Sequence, residues 1–367
     1  MSKKILIVSD FFDPHISGIV TYVKQHIKAY KELNFSVTVL TTLHNNSLKK
    51  EEIIDSIRII RCKPTIKISR GYYSFGLVYK YYLLHKEFDF INIFFPLTEV
   101  FPIFIKFDSK TFFTYCCLPP SFIHTRLSSL YFYSFGLLSL IFPKKIITLS
   151  NDYFRNTFLH KFFDKKVIEI PPFITKKNIK KNLNINKQLI IGYLGRICEE
   201  KGLETLIKAS EILNSKYFNY KLLIAGDLDD KRFNKYIKKI KDKSKTNENI
   251  VFTGKINEKE KDNFLSGLDV LVLPSVNSFE AFGIVQLEAM NNGVPVVASN
   301  IKGVRSIIKN TQNGYLFQKN NYNELAKILI KIQKFKIKNH QSISENVNAH
   351  YSYKLFFEKI KQKISNN

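Results

Sequence analysis

Apolar runs alternate with amphipathic stretches along the first half of the chain. Strands are predicted at residues 5–9, 36–41, 57–62, 90–94, 111–115, 145–149 and 167–170, and helices at 19–33, 72–86 and 124–142. The strand segments are almost continuously apolar, which is typical of strands buried on both faces of a parallel sheet. This half therefore predicts an α/β unit whose parallel sheet is covered by helices.

The alternation stops at Pro171-Pro172 and then restarts. Consecutive prolines fit neither a helix interior nor a central strand, and a Lys/Asn-rich stretch follows them, so 171–186 is the predicted linker. The second series has strands at 189–194, 221–225, 250–252, 270–273 and 295–299, and helices at 203–214, 230–243, 258–266 and 282–291.

The two series predict two doubly wound, Rossmann-like domains, at residues 1–170 and 187–350. An amphipathic helix at the end, 351–367, is expected to pack back on the first domain. Ligands of such sheets bind beyond the carboxyl ends of the strands. With two domains facing each other, the cleft between them is the expected site.

The net charge of the chain limits which classes of binding partner are expected. The chain carries 57 Lys and Arg against 31 Asp and Glu, a formal net charge of +26. The basic residues are spread along the whole chain, so the excess indicates either a solvated basic surface or attraction to an anionic membrane. Nucleic acid is not expected as a partner, because the sequence holds no zinc finger, RNA-recognition signature or basic zipper.

Location is predicted from the cysteines and from the apolar segments. Cys62, Cys116, Cys117 and Cys198 lack metal-like spacing and favour a reduced, cytoplasmic protein. The first apolar run stops at Ser9, too early for a signal peptide. Segment 127–142 is uncharged but shorter than the roughly 20 residues of a spanning helix. It is either a core helix or a surface that dips into the lipid interface.

Segment 271–300 carries the first candidate site. A strand is followed by a polar loop with Glu280, and a helix begins near Phe282 or Gly283, carries Glu288 and ends at Gly293. The free N–H groups at the helix start form a natural anion site; they belong to Phe282, Gly283, Ile284 and Val285. A diphosphate bound to these N–H groups, with hydroxyl groups of a polyol beside each of the two carboxylates, would engage all of them. The alternative is a solvated loop glutamate and a structural helix glutamate.

The loop after the strand at 189–194 carries the second candidate site. Gly195, Arg196 and Lys201 lie in this loop, and Gly202 starts a helix. Two cations at the carboxyl end of a strand suit a doubly anionic leaving group, since Arg can fork onto phosphate oxygens and Lys adds a point charge. The spacing is neither a Walker A loop nor GxGxxG. The alternative is a pair of surface cations on a lysine-rich protein.

Together these two segments resemble the retaining GT-B glycosyltransferases of family 4, the glycosyltransferase group 1 type. The resemblance rests on Gly195-Arg196 with Lys201 and on Glu280-x7-Glu288. It implies the GT-B fold and the transfer of a sugar from a nucleotide diphosphate sugar to an acceptor hydroxyl, with retention of configuration. It also implies that neither a metal nor another cofactor takes part.

The resemblance implies a role for each residue. Arg196 and Lys201 would stabilise the diphosphate, Glu280 would bind donor-sugar hydroxyls, and Glu288 would bind the ribose. The amides at Gly283, Ile284 and Val285 would hold phosphate oxygens, and the turn at 251–255 would lie near the nucleobase.

The first domain carries a further match and one departure. Segment 14–19 resembles the family's P-x-x-G-G loop, where Gly18 would let the backbone approach the donor phosphate or the acceptor. Cys116 stands where many relatives carry a histidine, and a thiol cannot copy a neutral imidazole. Donor choice and rate are therefore open, as is substitution by His124, eight residues further on.

The expected acceptor is a lipid-linked or cell-surface glycan intermediate, such as one of lipopolysaccharide or capsule synthesis. The protein would then be cytoplasmic and peripheral on the inner face of the plasma membrane. Two alternatives remain open. One is another GT-B activity such as a sugar-nucleotide epimerase, and the other is a non-catalytic basic scaffold or nucleic-acid-binding protein.

Overall fold

A computed structural model describes residues 2–68, 71–117, 134, 138–155, 160–177, 188–334 and 340–362. The chain divides into two compact units. Unit 1 comprises Met1–Pro172 and Phe356–Asn367, and unit 2 comprises Phe173–Leu355. The predicted helix at 124–142 and part of the predicted linker fall largely outside the described residues.

Unit 1 is built on an eight-stranded sheet in the order β10-β9-β8-β7-β1-β2-β4-β3. Its strands are β1 Lys4–Ser9, β2 Ser36–Thr42, β3 Glu51–Ile54, β4 Ile57–Cys62, β7 Phe90–Phe95, β8 Thr111–Tyr115, β9 Lys145–Thr148 and β10 Val167–Glu169, and β5 Ile66–Ile68 and β6 Gly71–Tyr73 form a separate hairpin. All neighbours pair in parallel except β3, which is antiparallel to β4.

Helices cover this sheet. They are α1 Gly18–Glu32, α2 Phe75–Leu84, α3 Val100–Phe104, α4 Asn151–Phe154 and α5 His160–Phe163. The side chain of Ser17 caps α1 by accepting a hydrogen bond from the Val20 N–H at 3.3 Å. The helix predicted at 72–86 is shorter in the structure, because residues 72 and 73 pair in β6 and Ser74 caps α2 by accepting from Leu77 N–H.

Unit 2 is built on a six-stranded parallel sheet in the order β13-β12-β11-β14-β15-β16. Its strands are β11 Leu189–Leu194, β12 Tyr220–Ala225, β13 Ile250–Gly254, β14 Val270–Leu273, β15 Val296–Ser299 and β16 Gly314–Phe317. Its helices are α6 Leu203–Ser215, α7 Asn234–Ser244, α8 Glu258–Ser266, α9 Ile284–Asn291, α10 Val304–Thr311, α11 Tyr322–Lys334 and α12 His340–Tyr351. Buried aliphatic and tyrosine side chains of β11, β12 and α6 form much of its core.

The chain end carries the expected terminal helix, and a further helix that was not predicted precedes it. Helix α12 ends at Tyr351, and α13 Tyr353–Ile360 follows it. The break at Ser352 coincides with a parallel bridge to Ile174. From Phe356 onward the chain belongs to unit 1, where the Phe356 ring lies 5.2 Å from the ring of His26 on α1.

The predicted α/β class with parallel sheets is confirmed. The sequence did not predict the short elements β3, β16, the β5–β6 hairpin and helices α3, α4 and α5, nor the longer helices α10, α11 and α12. None of the helices in the described part of the chain combines the length and the hydropathy that crossing a bilayer requires.

Candidate functional site

The site in unit 2 lies where the strand order reverses. Strand β11 pairs with β12 on one side and with β14 on the other. The loops that follow β11 and β14 therefore leave the same edge of the sheet side by side, at the topological switch point where open α/β sheets bind their ligands. These loops are residues 195–202 and 274–283, the two candidate segments of the sequence.

Backbone contacts fasten the two loops to each other. The Val276 N–H donates to the Glu200 carbonyl at 2.9 Å. Gly202 adopts the left-handed conformation (φ +66°), and a Cβ on it would lie 2.1 Å from the Pro274 carbonyl oxygen. Only glycine combines that backbone angle with so close an approach. The sequence of each loop thus fixes the position of the other.

Lys201 and Glu280 meet between these loops. The Lys201 ammonium forms an ion pair with a Glu280 carboxylate oxygen, and the side chains are 16% and 13% exposed. Ser275 Oγ donates to the same carboxylate at 3.5 Å. Because both side chains are partly exposed, a ligand can reach this ion pair. An anionic group of the ligand can draw the ammonium away, while hydroxyl groups of the ligand take its place at the carboxylate.

Arg196 lies at the beginning of the loop that follows β11 and carries Lys201. The Tyr193 hydroxyl donates to the Arg196 carbonyl at 2.6 Å and so fixes its backbone. The guanidinium lies 5.7 Å from the Phe279 ring centroid and 3.7 Å from the buried Glu200 carboxylate. With its side chain 40% exposed, Arg196 adds a second cation on the loop that carries Lys201.

The start of α9 supplies backbone donors beside this group. Gly283 precedes the helix with φ +79°, and no side chain caps the helix. The first-turn amides of Ile284 and Val285 have no acceptor within the helix, which makes this end favourable for an anion. Gln286 is buried and its Nε2 donates to the Phe282 and Val304 carbonyls, each at 3.0 Å, so it holds the entry segment in place.

Glu288 has a different partner. Lys261 on α8 donates to Glu288 Oε1 at 2.7 Å and also pairs with Glu258. Burial disfavours the charged form of Lys261, but the two carboxylates outweigh it and raise the pKa of this lysine. Lys261 was missed, because it lies in a run of alternating charges that resembles any solvated helix face.

The predicted site residues therefore fall into groups. Arg196, Lys201 and Glu280 lie on the two fastened loops. Phe282 and Gly283 precede α9, Ile284 and Val285 are its first residues, and Glu288 lies further along it. Gly195 donates its N–H to the Ala225 carbonyl at the end of β12. Residues missed by the sequence reading are Phe279, Gln286 and Lys261, and no signal beyond their proximity to the glutamates pointed to them.

Three predicted residues belong to unit 1. Gly18 is the first residue of α1, directly after the capping Ser17. Cys116 follows β8 and is buried; burial raises the pKa of its thiol well above the usual value, which keeps it neutral and unsuited to nucleophilic attack. His124 lies outside the described residues.

Unit 1 has its own switch point, between β1 and β7, and two carboxylates occupy it. Asp10 follows β1 and is half-buried, and Glu99 follows β7 and is fully buried. Glu99 accepts from Ser74 N–H at 2.7 Å and from Thr98 Oγ at 2.8 Å. Burial raises the pKa of Glu99 to about 7, while burial and the charge of Glu99 raise the pKa of Asp10.

The β5–β6 hairpin covers this pair of acids. A Cβ on Gly71 would lie 2.7 Å from Asp10 Oδ2 and 3.2 Å from Thr98 Cγ2, so the backbone of β6 packs directly on both loops. Thr98 Oγ also hydrogen-bonds the Tyr72 carbonyl. The sequence reading did not single out either acid, because each occurs alone in an otherwise apolar segment.

The comparisons with known proteins agree with this geometry. Residues 175–349 match the family described as glycosyl transferases group 1. An uncharacterized glycosyltransferase of Methanocaldococcus jannaschii, MJ1607, is 35% identical over 40% of this chain and 36% of its own. The capsular polysaccharide biosynthesis glycosyltransferase CapM of Staphylococcus aureus is 30% identical over 44% of this chain and 40% of its own. The chain thus aligns with well under half the length of these two relatives.

Other matches extend over the chain. A second uncharacterized glycosyltransferase of Methanocaldococcus jannaschii, MJ1178, is 26% identical over 90% of this chain and 88% of its own. The solved structure of a sucrose-phosphate synthase from Thermosynechococcus elongatus has a TM-score of 0.81 at 20% identity, covering 99% of this chain and 98% of that one. Anabaena HepE, solved with UDP and glucose, has a TM-score of 0.73 at 18% identity and covers 100% of both chains. These neighbours have the GT-B fold.

Proposed function

We propose that the chain, whose residues 175–349 match the family described as glycosyl transferases group 1, transfers a sugar from a nucleotide diphosphate sugar to a hydroxyl of a glycan acceptor, with retention of the anomeric configuration. The observation that carries the proposal is the meeting of Lys201 and Glu280 at the switch point of unit 2. One group suits the diphosphate and the other the hydroxyls of the sugar.

In this proposal, Arg196, Lys201 and the first amides of α9 bind the diphosphate and stabilise the negative charge that grows as the sugar–phosphate bond breaks. Preorganised cations and amide dipoles are the usual means of lowering such a barrier. Their positions are set before a ligand arrives, since Val276 and Gly202 fasten the two loops through the backbone and the side chain of Gln286 holds the segment before α9.

When the donor binds, Glu280 gives up its ion pair with Lys201 and accepts hydrogen bonds from hydroxyls of the donor sugar. Glu288 accepts hydrogen bonds from the ribose hydroxyls, and Lys261 holds the Glu288 side chain in position. A leaving phosphate oxygen takes the proton of the acceptor hydroxyl, so the reaction needs no side chain as general base. We also propose that it needs no metal ion, since the cations of the chain bear the charge of the diphosphate.

The nature of the acceptor is proposed from the relatives. CapM is named for capsular polysaccharide biosynthesis, and TarM of Staphylococcus aureus was solved with UDP and a GlcNAc–glycerol. A lipid-linked or cell-surface glycan intermediate, of a capsule or of lipopolysaccharide, is the corresponding acceptor for this chain. The HepE structures with UDP and glucose support a nucleoside diphosphate sugar as donor.

The test is a screen of UDP-, GDP- and ADP-sugars for binding, followed by nucleotide release with and without glycan acceptors in EDTA. We expect one nucleotide series to bind, release of nucleotide that increases with acceptor, and a product whose anomeric configuration by NMR equals that of the donor. Conversion of the donor without an acceptor into another nucleotide sugar would replace the proposal by an epimerase. Oligonucleotide binding without nucleotide-sugar binding would replace it by a nucleic-acid-binding role.

A further inference from the structure

Helix α2 in unit 1 presents an apolar face to solvent. Phe75, Tyr79, Tyr82 and Leu83 recur at helical spacing, and all are exposed, with Tyr79 at 64% and Leu83 at 52%. The opposite side of the helix is also apolar and packs into the unit. A surface helix of a globular protein normally turns polar residues outward, so the outer face of α2 is not explained by folding.

The neighbouring helix extends this face. Phe101 lies on α3, and Ile105 follows the helix one turn further along. Both side chains are exposed, Ile105 at 62%. The two helices are joined at this surface by a hydrogen bond from the Tyr82 hydroxyl to the Pro102 carbonyl at 2.7 Å. We refer to Phe75, Tyr79, Tyr82, Leu83, Phe101 and Ile105 as the α2–α3 face.

Lysines accompany the α2–α3 face. Lys80 and Lys86 are exposed on and just after α2, and Lys106 follows α3 with its ammonium 5.8 Å from the Tyr82 ring centroid. The acids on and beside the same segments are Glu87, Asp89 and Asp108, which are exposed, and Glu99, which is buried. Lysine stems can lie along apolar surface while their ammonium groups reach polar surroundings. An apolar, aromatic surface edged by lysines is complementary to a layer that has an apolar interior and an anionic outer surface.

We propose that the α2–α3 face seats the protein on an anionic lipid bilayer, with its aromatic and aliphatic side chains at the level of the headgroups and its lysines against lipid phosphates. The inference rests on the proposed function only in that a lipid-linked acceptor would be met at such a surface. A second copy fits less well, because a symmetric interface would bring the same lysines of a chain of net charge +26 against one another.

Vesicle sedimentation of the full chain tests the proposal. We expect binding to mixed phosphatidylglycerol–phosphatidylcholine vesicles, no binding to pure phosphatidylcholine, and weaker binding as salt is added. The variant Tyr79→Ser/Leu83→Ser/Ile105→Ser should partition at least about tenfold less. The control Ile53→Ser/Tyr217→Ser changes residues that are 75% and 98% exposed elsewhere and should bind like the wild type.

A second variant removes charge without removing apolar surface. Lys80→Gln/Lys86→Gln/Lys106→Gln should weaken binding to the anionic vesicles roughly a hundredfold. Its unfolding temperature should stay near that of the wild type, as should that of the apolar variant, because all these positions face solvent.

Two results would overturn the inference: wild-type protein that ignores anionic vesicles at low salt, or an apolar variant that binds them as well as the wild type. A wild-type dimer in analytical ultracentrifugation that the apolar variant abolishes would assign the face to a second copy instead. Nucleotide release from the donor in the absence of vesicles separates the two proposals, since both variants should retain it if the sugar-transfer site is as proposed.

Discussion

The two units place charged residues at equivalent points and use them in opposite ways. In unit 2, the loops after β11 and β14 bring together a lysine and a glutamate that are each partly exposed. In unit 1, the loops after β1 and β7 bring together two carboxylates under a hairpin, the half-buried Asp10 and the buried Glu99. Strand order therefore determines which loops lie side by side. The charges on those loops, and whether another segment covers them, determine whether the loops bind a ligand or stabilise the fold.

The sharpest way to break this comparison is to remove the cation of unit 2. We expect Lys201→Met to lower kcat about 100- to 1,000-fold, because the leaving diphosphate loses a preorganised charge. The unfolding temperature should fall only modestly, since the Glu280 carboxylate keeps some exposure to water and still accepts from Ser275 Oγ. Lys216→Met, at an exposed position in the same unit, is the control. Activity close to wild type would remove Lys201 from the site.

The fastening of the unit 2 loops is tested by Gly202→Ala. The new Cβ would meet backbone at 2.1 Å with φ at +66°, so we expect a loss of unfolding free energy of about 3 kcal/mol or more, together with loss of donor binding. Gly254→Ala is matched, because Gly254 has φ +77° but nothing within 4 Å of the added carbon. It should cost only about 1–2 kcal/mol. Equal effects in denaturant titrations would mean that the loop contact is unimportant.

The acids of unit 1 should affect stability and leave sugar transfer intact. Glu99 releases its proton near pH 4.5 when unfolded and near pH 7 when folded, since burial raises its pKa to about 7. Between these pH values the folded chain holds the extra proton, so stability falls as pH rises, by on the order of 3 kcal/mol.

Urea titrations from pH 5 to 8 measure this fall. Glu99→Gln should flatten the pH dependence, although Asp10, whose pKa is also raised, retains part of it. Donor turnover should be unchanged by the variant. A wild-type slope that persists unaltered in Glu99→Gln would show that other groups are responsible for it.

The smallest expected effect concerns the second glutamate of unit 2. Lys261→Met removes the cation that orients Glu288, and we expect nucleotide binding to weaken about three- to tenfold with kcat nearly constant, because a partly exposed pair contributes about 1 kcal/mol. Lys259→Met, two residues earlier and exposed, should bind nucleotide normally. A fall in kcat with unchanged Kd would place Lys261 in the chemical step instead.

Most strands were predicted from sequence because they are continuously apolar. Strands β4, β8, β11 and β14 have the predicted bounds. The bounds of β1, β2, β7, β9, β10, β12 and β15 differ from the predicted ones by one residue. Helix limits were less accurate where a capping residue competes with propensity, as at Ser74 for α2 and at Gly283 for α9. The β5–β6 hairpin was missed because its strands have three residues each.

The sequence by itself determined the α/β alternation, since strand and helix periodicities are local. It also determined which residue types stand after β11 and β14. Only the tertiary structure decided that Lys201 and Glu280 pair across 79 positions, that Lys261 holds Glu288, and that Asp10 and Glu99 share one covered edge. Those outcomes depend on strand order, which brings distant loops together, and on burial, which no local pattern of residues records.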